Sequence, residues 1–338
     1  MNKKQDSTSK KKFALQALEI FRRRGKKALE IAEDTMLNQT SIDKPVRKAL
    51  ELLLHENRQY VLHPALISLT CEAVGGNPEE ISPICASIVL IACAFDIHDD
   101  IMDQSTIKGQ KQTVLGKFGT DIALLAGDAL FMKGLMTLHK ACEDLPTDRR
   151  QKILSSAENS FIELGNAQAK EASFKRKLTL SPQDYFKVIE MKASMSEAEA
   201  EIGAILGNGT HNEVQTSRRY GRKLGILMAL RDDFIDIFEP DELLNRFKNE
   251  CLPLPLLYAL KNRQLKDKIT RKLTKGTLTN ADTEKIVDLI WDTEEVTHLR
   301  KQLHKIGMQA MHEAHDMKPS KARDEMLVLI RATLEDLD

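Results

Sequence analysis

The sequence has no charge imbalance: its 50 Lys and Arg residues are matched by 50 Asp and Glu residues. Nothing in that balance calls for nucleic acid or an anionic membrane as a partner. No glycine-, serine- or proline-rich linker divides the 338 residues, 42% of which are hydrophobic, so a single large domain over residues 13–338 is expected. Cysteine is sparse. Cys71, Cys85, Cys93, Cys142 and Cys251 are odd in number and show no C-x-x-C spacing, which suggests neither a disulfide frame nor a structural zinc site and points to a reducing cytoplasm. No apolar run reaches the ~18 residues of a membrane span. Residues 1–12 form a Lys-rich tail with no hydrophobic segment behind it, expected to be disordered rather than a targeting helix. No stretch alternates as a half-exposed strand does, so Gly203, Gly207 and Gly209 cannot be a dinucleotide fingerprint, which needs a preceding strand.

What is present is helical periodicity. Residues 13–34 carry apolar side chains at spacings of three and four around a basic run, Arg22 to Lys27, read as the solvated face of an amphipathic helix. Asp43 and Pro45 open a second helix, and a third begins near Pro64 and stops at Gly75-Gly76-Asn77-Pro78. Residues 81–102 are almost wholly apolar, as in a helix buried on most sides. Further helices are expected over residues 121–139 and 149–174, from Ser181 as cap to Gly207, and over 216–238, 252–260, 292–311 and 321–337. The fold class is all-α. His312 and His315 stand three apart, whereas a metalloprotease helix needs four, so both are read as exposed.

Two of these helices end in an Asp-Asp-x-x-Asp cluster: Asp99, Asp100 and Asp103 in the first, Asp232, Asp233 and Asp236 in the second. On a helix the first and last carboxylates of each cluster stack on one face about 6 Å apart. Like charges so placed destabilise an isolated helix, and each cluster follows an apolar run that should be buried. A cation must compensate them. Carboxylates are hard oxygen ligands that suit Mg²⁺, which takes few protein ligands and completes its shell with water and phosphate oxygens. Two facing clusters fit a site for two or three Mg²⁺ ions holding a diphosphate. Neither cluster brings the Cys or multiple His that zinc prefers. One turn before Asp99 stands Phe95, placed to floor a cavity below the reacting carbon.

The two clusters, with Gly127-Asp128-Ala129-Leu130 after the first and Tyr220-Gly221-Arg222-Lys223-Leu224-Gly225 before the second, resemble the trans-isoprenyl diphosphate synthase (polyprenyl synthetase) family from about residue 52 to about residue 260. The resemblance implies a single-domain helical bundle around a central cavity and a homodimer. It implies Mg²⁺ held by all six aspartates on an allylic prenyl diphosphate, with Lys192 on that diphosphate and Gln168 facing the cavity. It also implies that bulky residues just before the first cluster, here Phe95, limit the chain to about three or four isoprene units.

The departures from the family pattern fall mainly on the second diphosphate. Where the family reads Gly-Gly-Lys-Arg-Leu-Arg-Pro this chain has Arg58-Gln59-Tyr60-Val61-Leu62-His63-Pro64, and where it reads Arg-Arg-Gly this chain has Ile107-Lys108-Gly109. The Phe-Gln pair before the second cluster is Met228-Ala229, and a later Gly-Lys is Glu250-Cys251. An arginine fork recognises an anion bidentately and a single lysine replaces it only in part. On that ground the first expectation is a class I terpene synthase that ionises one C15–C20 allylic diphosphate and needs no isopentenyl diphosphate. The alternative is a chain-elongating prenyltransferase in which Arg58, His63, Lys108 and Lys111 anchor the co-substrate; a third reading is a non-catalytic partner subunit.

Overall fold

The computed structural model describes residues 12–39, 41–56, 61–108 and 111–335. Arg58, Tyr60 and the tail before residue 12 lie outside the described residues. Among those described, sixteen helices follow one another: α1 (Lys12–Leu37), α2 (Lys44–Glu56), α3 (Leu62–Ala73), α4 (Ser82–Asp103), α5 (Val114–Phe118), α6 (Thr120–Ala141), α7 (Thr147–Phe174), α8 (Pro182–Lys192), α9 (Ser194–Leu206), α10 (His211–Asp236), α11 (Pro240–Asn249), α12 (Leu254–Ala259), α13 (Arg263–Leu273), α14 (Asn280–Ile290), α15 (Glu294–His315) and α16 (Lys321–Glu335). The all-α class holds, with one exception. Between α4 and α5, β1 (Ile107–Lys108) pairs antiparallel with β2 (Lys111–Gln112). Two exposed residues per strand are too few for alternation to show.

The helix expected to run unbroken from Ser181 to Gly207 is two helices, α8 and α9. The break falls at Ala193, which packs against Gly225 of α10, while the Ser194 hydroxyl donates to the Ser160 carbonyl at 3.1 Å. Ser181 does not cap α8 through its side chain, which donates to Gln183 instead. Three helices beyond the second cluster, α11, α13 and α14, were not anticipated. Both α13 and α14 are amphipathic and highly polar, burying two and three residues, yet each carries a cap: Asn262 accepts from Gln264 and Leu265, and Thr279 forms a capping box with Asp282.

Close helix contacts set the position of the acidic ends. A Cβ on Gly127 of α6 would stand 2.6 Å from His98 Nε2, and one on Gly134 2.6 Å from Ile91, so α4 and α6 touch along their length because these positions have no side chain. Gly203 and Gly207 let α9 lie directly on α3. The apolar side chains gather in three groups: around α10, α12 and α15–α16; between α1, α2, α4 and α6; and between α3, α4, α7 and α9. The basic run of α1 is not wholly solvated, as had been expected. Arg24 is 3% exposed at its side chain and bonds Glu325 of α16 and Glu72 and Ser68 of α3. His312 and His315 are exposed, as expected.

By length and composition α6 could cross a membrane, against the expectation drawn from unbroken apolar runs. Asp128 and Lys133 interrupt the run without removing its hydropathy. Its outward face leaves Leu124, Leu125, Met132 and Met136 exposed.

Candidate active site

Each acidic cluster occupies the last turn of its helix. At α4 the chain leaves the helix through Gln104 in the left-handed conformation (φ 56°), immediately after Asp103. Carboxylates at a helix C-terminus face the negative end of the macrodipole, so both clusters are placed at an electrostatic cost. Neither helix supplies a basic side chain in that turn.

The compensating groups come from elsewhere. For the first cluster, Gln168 of α7 donates to Asp99 Oδ1 at 2.5 Å, Lys108 of β1 meets Asp100 at 2.6 Å and Asp96 at 3.1 Å, and Lys175 donates to Asp103 at 2.8 Å and to the Met102 carbonyl at 2.6 Å. Lys192 pairs with buried Glu171 of α7, and its charge also reaches Asp99. Burial pushes the Asp100 carboxyl up to about 7 because Lys108, the nearest cation, is shared with Asp96. Burial raises Asp99 too, against the pull of Lys192.

The two buried acids of the second cluster share one cation, while the exposed Asp232 lies 3.5 Å from Arg231. Arg246 of α11 donates to Asp233 Oδ1 at 2.8 Å and Asp236 Oδ2 at 2.7 Å, and also to the Tyr185 hydroxyl at 2.7 Å and the Cys251 carbonyl at 3.0 Å. The other oxygen of Asp233 accepts the Leu254 backbone N–H at 2.8 Å. Asp233 is 3% exposed, and burial pushes Asp236 up to about 7 despite Arg246. Asp232, by contrast, has a side chain 64% exposed. Beside Arg246 on α11, the Asn245 amide donates to the Asp103 carbonyl at 3.3 Å and to Glu250 at 2.6 Å. Burial pushes Glu250 up to about 8.

The sequence-predicted residues thus divide. Asp99, Asp100, Asp103, Lys108, Gln168 and Lys192 stand together; Asp233 and Asp236 stand beside them across α11. His63 is paired with Glu199 of α9, and Val61 lies buried against Gly25 rather than facing the acidic ends. Lys111 is exposed on β2. Sequence reasoning missed Lys175, Glu171, Glu199 and Arg246. A lone basic residue in a short polar helix ten positions after Asp236 cannot be told from a surface charge, which is why Arg246 was missed.

The buried carboxylates here outnumber the cations that meet them. Among the described residues no three His, Cys, Asp or Glu side chains converge tightly enough to hold a metal ion on their own. The donor set still fits Mg²⁺, which accepts one or two carboxylates and takes its remaining oxygens from water and phosphate. One turn before Asp99, Phe95 of α4 meets Phe131 of α6 and Phe161 of α7 at centroid distances of 5.6 and 5.5 Å, a cluster of three aromatic rings. Hollows of about 290 and 420 Å³ lie elsewhere, the first lined by Glu163, Glu197, Glu201, Arg218 and Arg222, too polar for an isoprenoid chain.

Comparison with known proteins agrees with the all-α fold. The sequence model of the family described as polyprenyl synthetase matches residues 47–290. The chain is 31% identical over 186 residues to a short chain isoprenyl diphosphate synthase of Methanothermobacter thermautotrophicus, covering 55% of this chain and 56% of that protein. It therefore spans little more than half the length of that relative. Its fold superposes on geranylgeranyl pyrophosphate synthetase of Pyrococcus horikoshii with a TM-score of 0.81 at 23% identity, over 94% of this chain and 98% of the other. A polyprenyl synthase of Caulobacter crescentus, solved with calcium and isoprenyl diphosphate, superposes with a TM-score of 0.77 at 18% identity, over 94% and 97%.

Proposed function

Because the chain belongs to the polyprenyl synthetase family, we propose that it is a Mg²⁺-dependent trans-prenyltransferase, joining isopentenyl diphosphate to an allylic prenyl diphosphate with release of diphosphate. The observation that carries this is the pair of acidic helix ends, both buried and both held by internal cations, with a cluster of three aromatic rings one turn before Asp99. The relatives are named as chain-elongating synthases, which favours elongation over the terpene-synthase reading drawn from the missing arginines. Terpene synthesis stays as the second reading because Val61 and Ile107 bring no charge where the family has basic groups.

Mg²⁺ would be held by Asp99, Asp100, Asp103, Asp232, Asp233 and Asp236, and when bound it would neutralise the departing diphosphate. Lys108, Lys175 and Arg246, each now paired with a carboxylate that a metal would take over, and Lys192, paired with Glu171, are the chain's own cations for the diphosphate. Gln168 holds Asp99 in orientation. Phe95, Phe131 and Phe161 close the floor against water and stop the prenyl tail, so that Phe95→Ala lengthens the product.

Residues 13–338 act as one domain on this reading. The apolar face of α6, with Leu124, Leu125, Met132 and Met136, is the surface of a homodimer rather than a membrane span. Five free, buried cysteines accord with the cytoplasm. The deciding experiment incubates purified protein and Mg²⁺ with farnesyl diphosphate, with and without isopentenyl diphosphate, and analyses hexane extracts by mass spectrometry. A longer prenyl diphosphate that appears only with isopentenyl diphosphate supports elongation. A hydrocarbon or alcohol formed without it transfers the case to terpene synthesis, and activity restored only by a second protein transfers it to a partner subunit.

A further inference from the structure

The chain has one tryptophan, Trp291, at the junction of α14 and α15, and it stands against the end of the second acidic cluster. Phe234, 2% exposed, lies between Asp233 and Asp236 in the chain, and its ring meets Trp291 edge to face with centroids 5.9 Å apart at 85°. Phe238, four residues on, meets the same indole at 6.4 Å and 66°. The indole is itself fixed. Arg300 of α15 lays its guanidinium over the ring, 4.8 Å from the centroid, and donates to the Trp291 carbonyl at 3.4 Å. Arg300 Nε is buried without a hydrogen-bond partner among the described residues, so this guanidinium gives up a hydrogen bond to lie on the indole face. At the other end of α14 the buried Thr283 hydroxyl lies 3.4 Å from the Phe238 carbonyl.

The last turn of α10 is therefore held from two sides by two kinds of contact. Arg246 of α11 takes the carboxylates of Asp233 and Asp236, while Trp291 takes the aromatic face. Successive residues on a helix stand about 100° apart, so any roll that frees Phe234 turns Asp233 and Asp236 by the same angle. A metal that claims the carboxylates displaces the first hold and leaves the second in place. We propose that Trp291, pinned by Arg300, is a positioning residue for the second acidic cluster: through Phe234 and Phe238 it fixes the roll of this turn, so that Asp233 and Asp236 keep their directions when a metal-bound diphosphate draws them from Arg246. This rests on the reading of the clusters as Mg²⁺ sites given above.

Calorimetric titration of inorganic diphosphate in Mg²⁺ measures that hold without turnover. Trp291→Leu should weaken binding by at least ~10-fold, the order by which losing an outer partner of a metal ligand lowers metal affinity. Arg300→Met should weaken it less, and Trp291→Phe, which keeps a ring against Phe234, should restore most of the affinity. Because the tryptophan is single, its fluorescence anisotropy decay reports on this contact alone. The indole should stay immobile when Mg²⁺ and diphosphate are added, and it should gain fast local motion in Arg300→Met, a signature that loosened packing elsewhere does not give. Unchanged diphosphate affinity in folded Trp291→Leu, or an indole set free when the unmodified protein is loaded, overturns the strut and leaves prenyl transfer standing. Should Trp291→Leu fail to fold, Arg300→Met carries the test, and an affinity equal to that of the unmodified protein overturns the strut. Absence of Mg²⁺-dependent diphosphate binding by the unmodified protein overturns the metal-site reading and this inference with it.

Discussion

Asp103 and Asp236 hold equivalent places, each closing an acidic cluster in the last turn of a buried helix, yet they are compensated in opposite ways. The first cluster is met by separate side chains from several elements, Gln168, Lys108, Lys175 and Lys192, each able to let go alone. The second is met by Arg246, buried and shared between Asp233 and Asp236, with Tyr185 and the Cys251 carbonyl fixing its plane. Lysine is a flexible point charge, whereas the guanidinium is a rigid fork pre-organised for two carboxylates. The carboxylates of the first cluster can thus lose their partners one at a time, whereas Asp233 and Asp236 share a single one. The third acid of the second cluster, Asp232, faces solvent.

The largest effect expected from this contrast is on folding. Arg246→Met strands two buried carboxylates and should cost about 3–5 kcal/mol in urea unfolding of metal-free protein, as breaking a buried pair does. Mg²⁺ with inorganic diphosphate should recover part of the loss. Equal losses from Arg246→Met and Lys175→Met would break the comparison. Next comes catalysis: Asp99→Ala and Asp232→Ala should each lower turnover by at least ~10²-fold, the order seen when a transition-state electrostatic group is removed. Asp232→Ala should do so without a change in stability, and activity that survives EDTA would count against both clusters as metal sites.

A smaller effect, per group, is expected from pH. The folded carboxyls of Asp100 and Asp236 titrate at about 7, above their unfolded values. Between about pH 4 and 7 the native state then binds more protons than the unfolded chain, so stability falls as pH rises through that window. Metal-free protein should lose about 2 kcal/mol for each of the two groups between pH 5 and 7, and saturating Mg²⁺ should flatten the slope, because the metal binds the ionised forms. A rise in stability over that range would reverse the assignment. The smallest effect belongs to Lys175→Met. The Asp103 carboxylate loses one lysine and keeps a side-chain exposure of 15%, so a loss of about 1 kcal/mol is expected in the same urea series.

Much of the fold is legible in residue spacing. The apolar run before Asp99 marks α4 almost to its ends, whereas α10, expected from residue 216, begins at His211 behind the capping box of Thr210 and Glu213. Polar helices are harder to read. Of the eleven residues of α13 only Ile269 and Leu273 are buried, so its period is faint, although Asn262 stands at its cap. The break at Ala193 has no glycine or proline to announce it; it follows from packing against Gly225, thirty-two positions away in the chain. Arg24 looks like one of several surface cations until Glu325, about 300 residues further on, is laid beside it.

The sequence by itself determined the helical class, the two Asp-Asp-x-x-Asp faces and a donor chemistry that suits a hard divalent cation better than zinc. These follow from a period of 3.6 residues and from ligand chemistry, both local properties. Which cation meets which carboxylate was decided only in three dimensions. Glu199 reaches His63 across 136 positions, Gln168 reaches Asp99 across 69, and Arg246 reaches Tyr185 across 61. A charged side chain has no preferred partner along the chain. It acquires one when packing excludes water from around it, and that exclusion is a property of several helices at once.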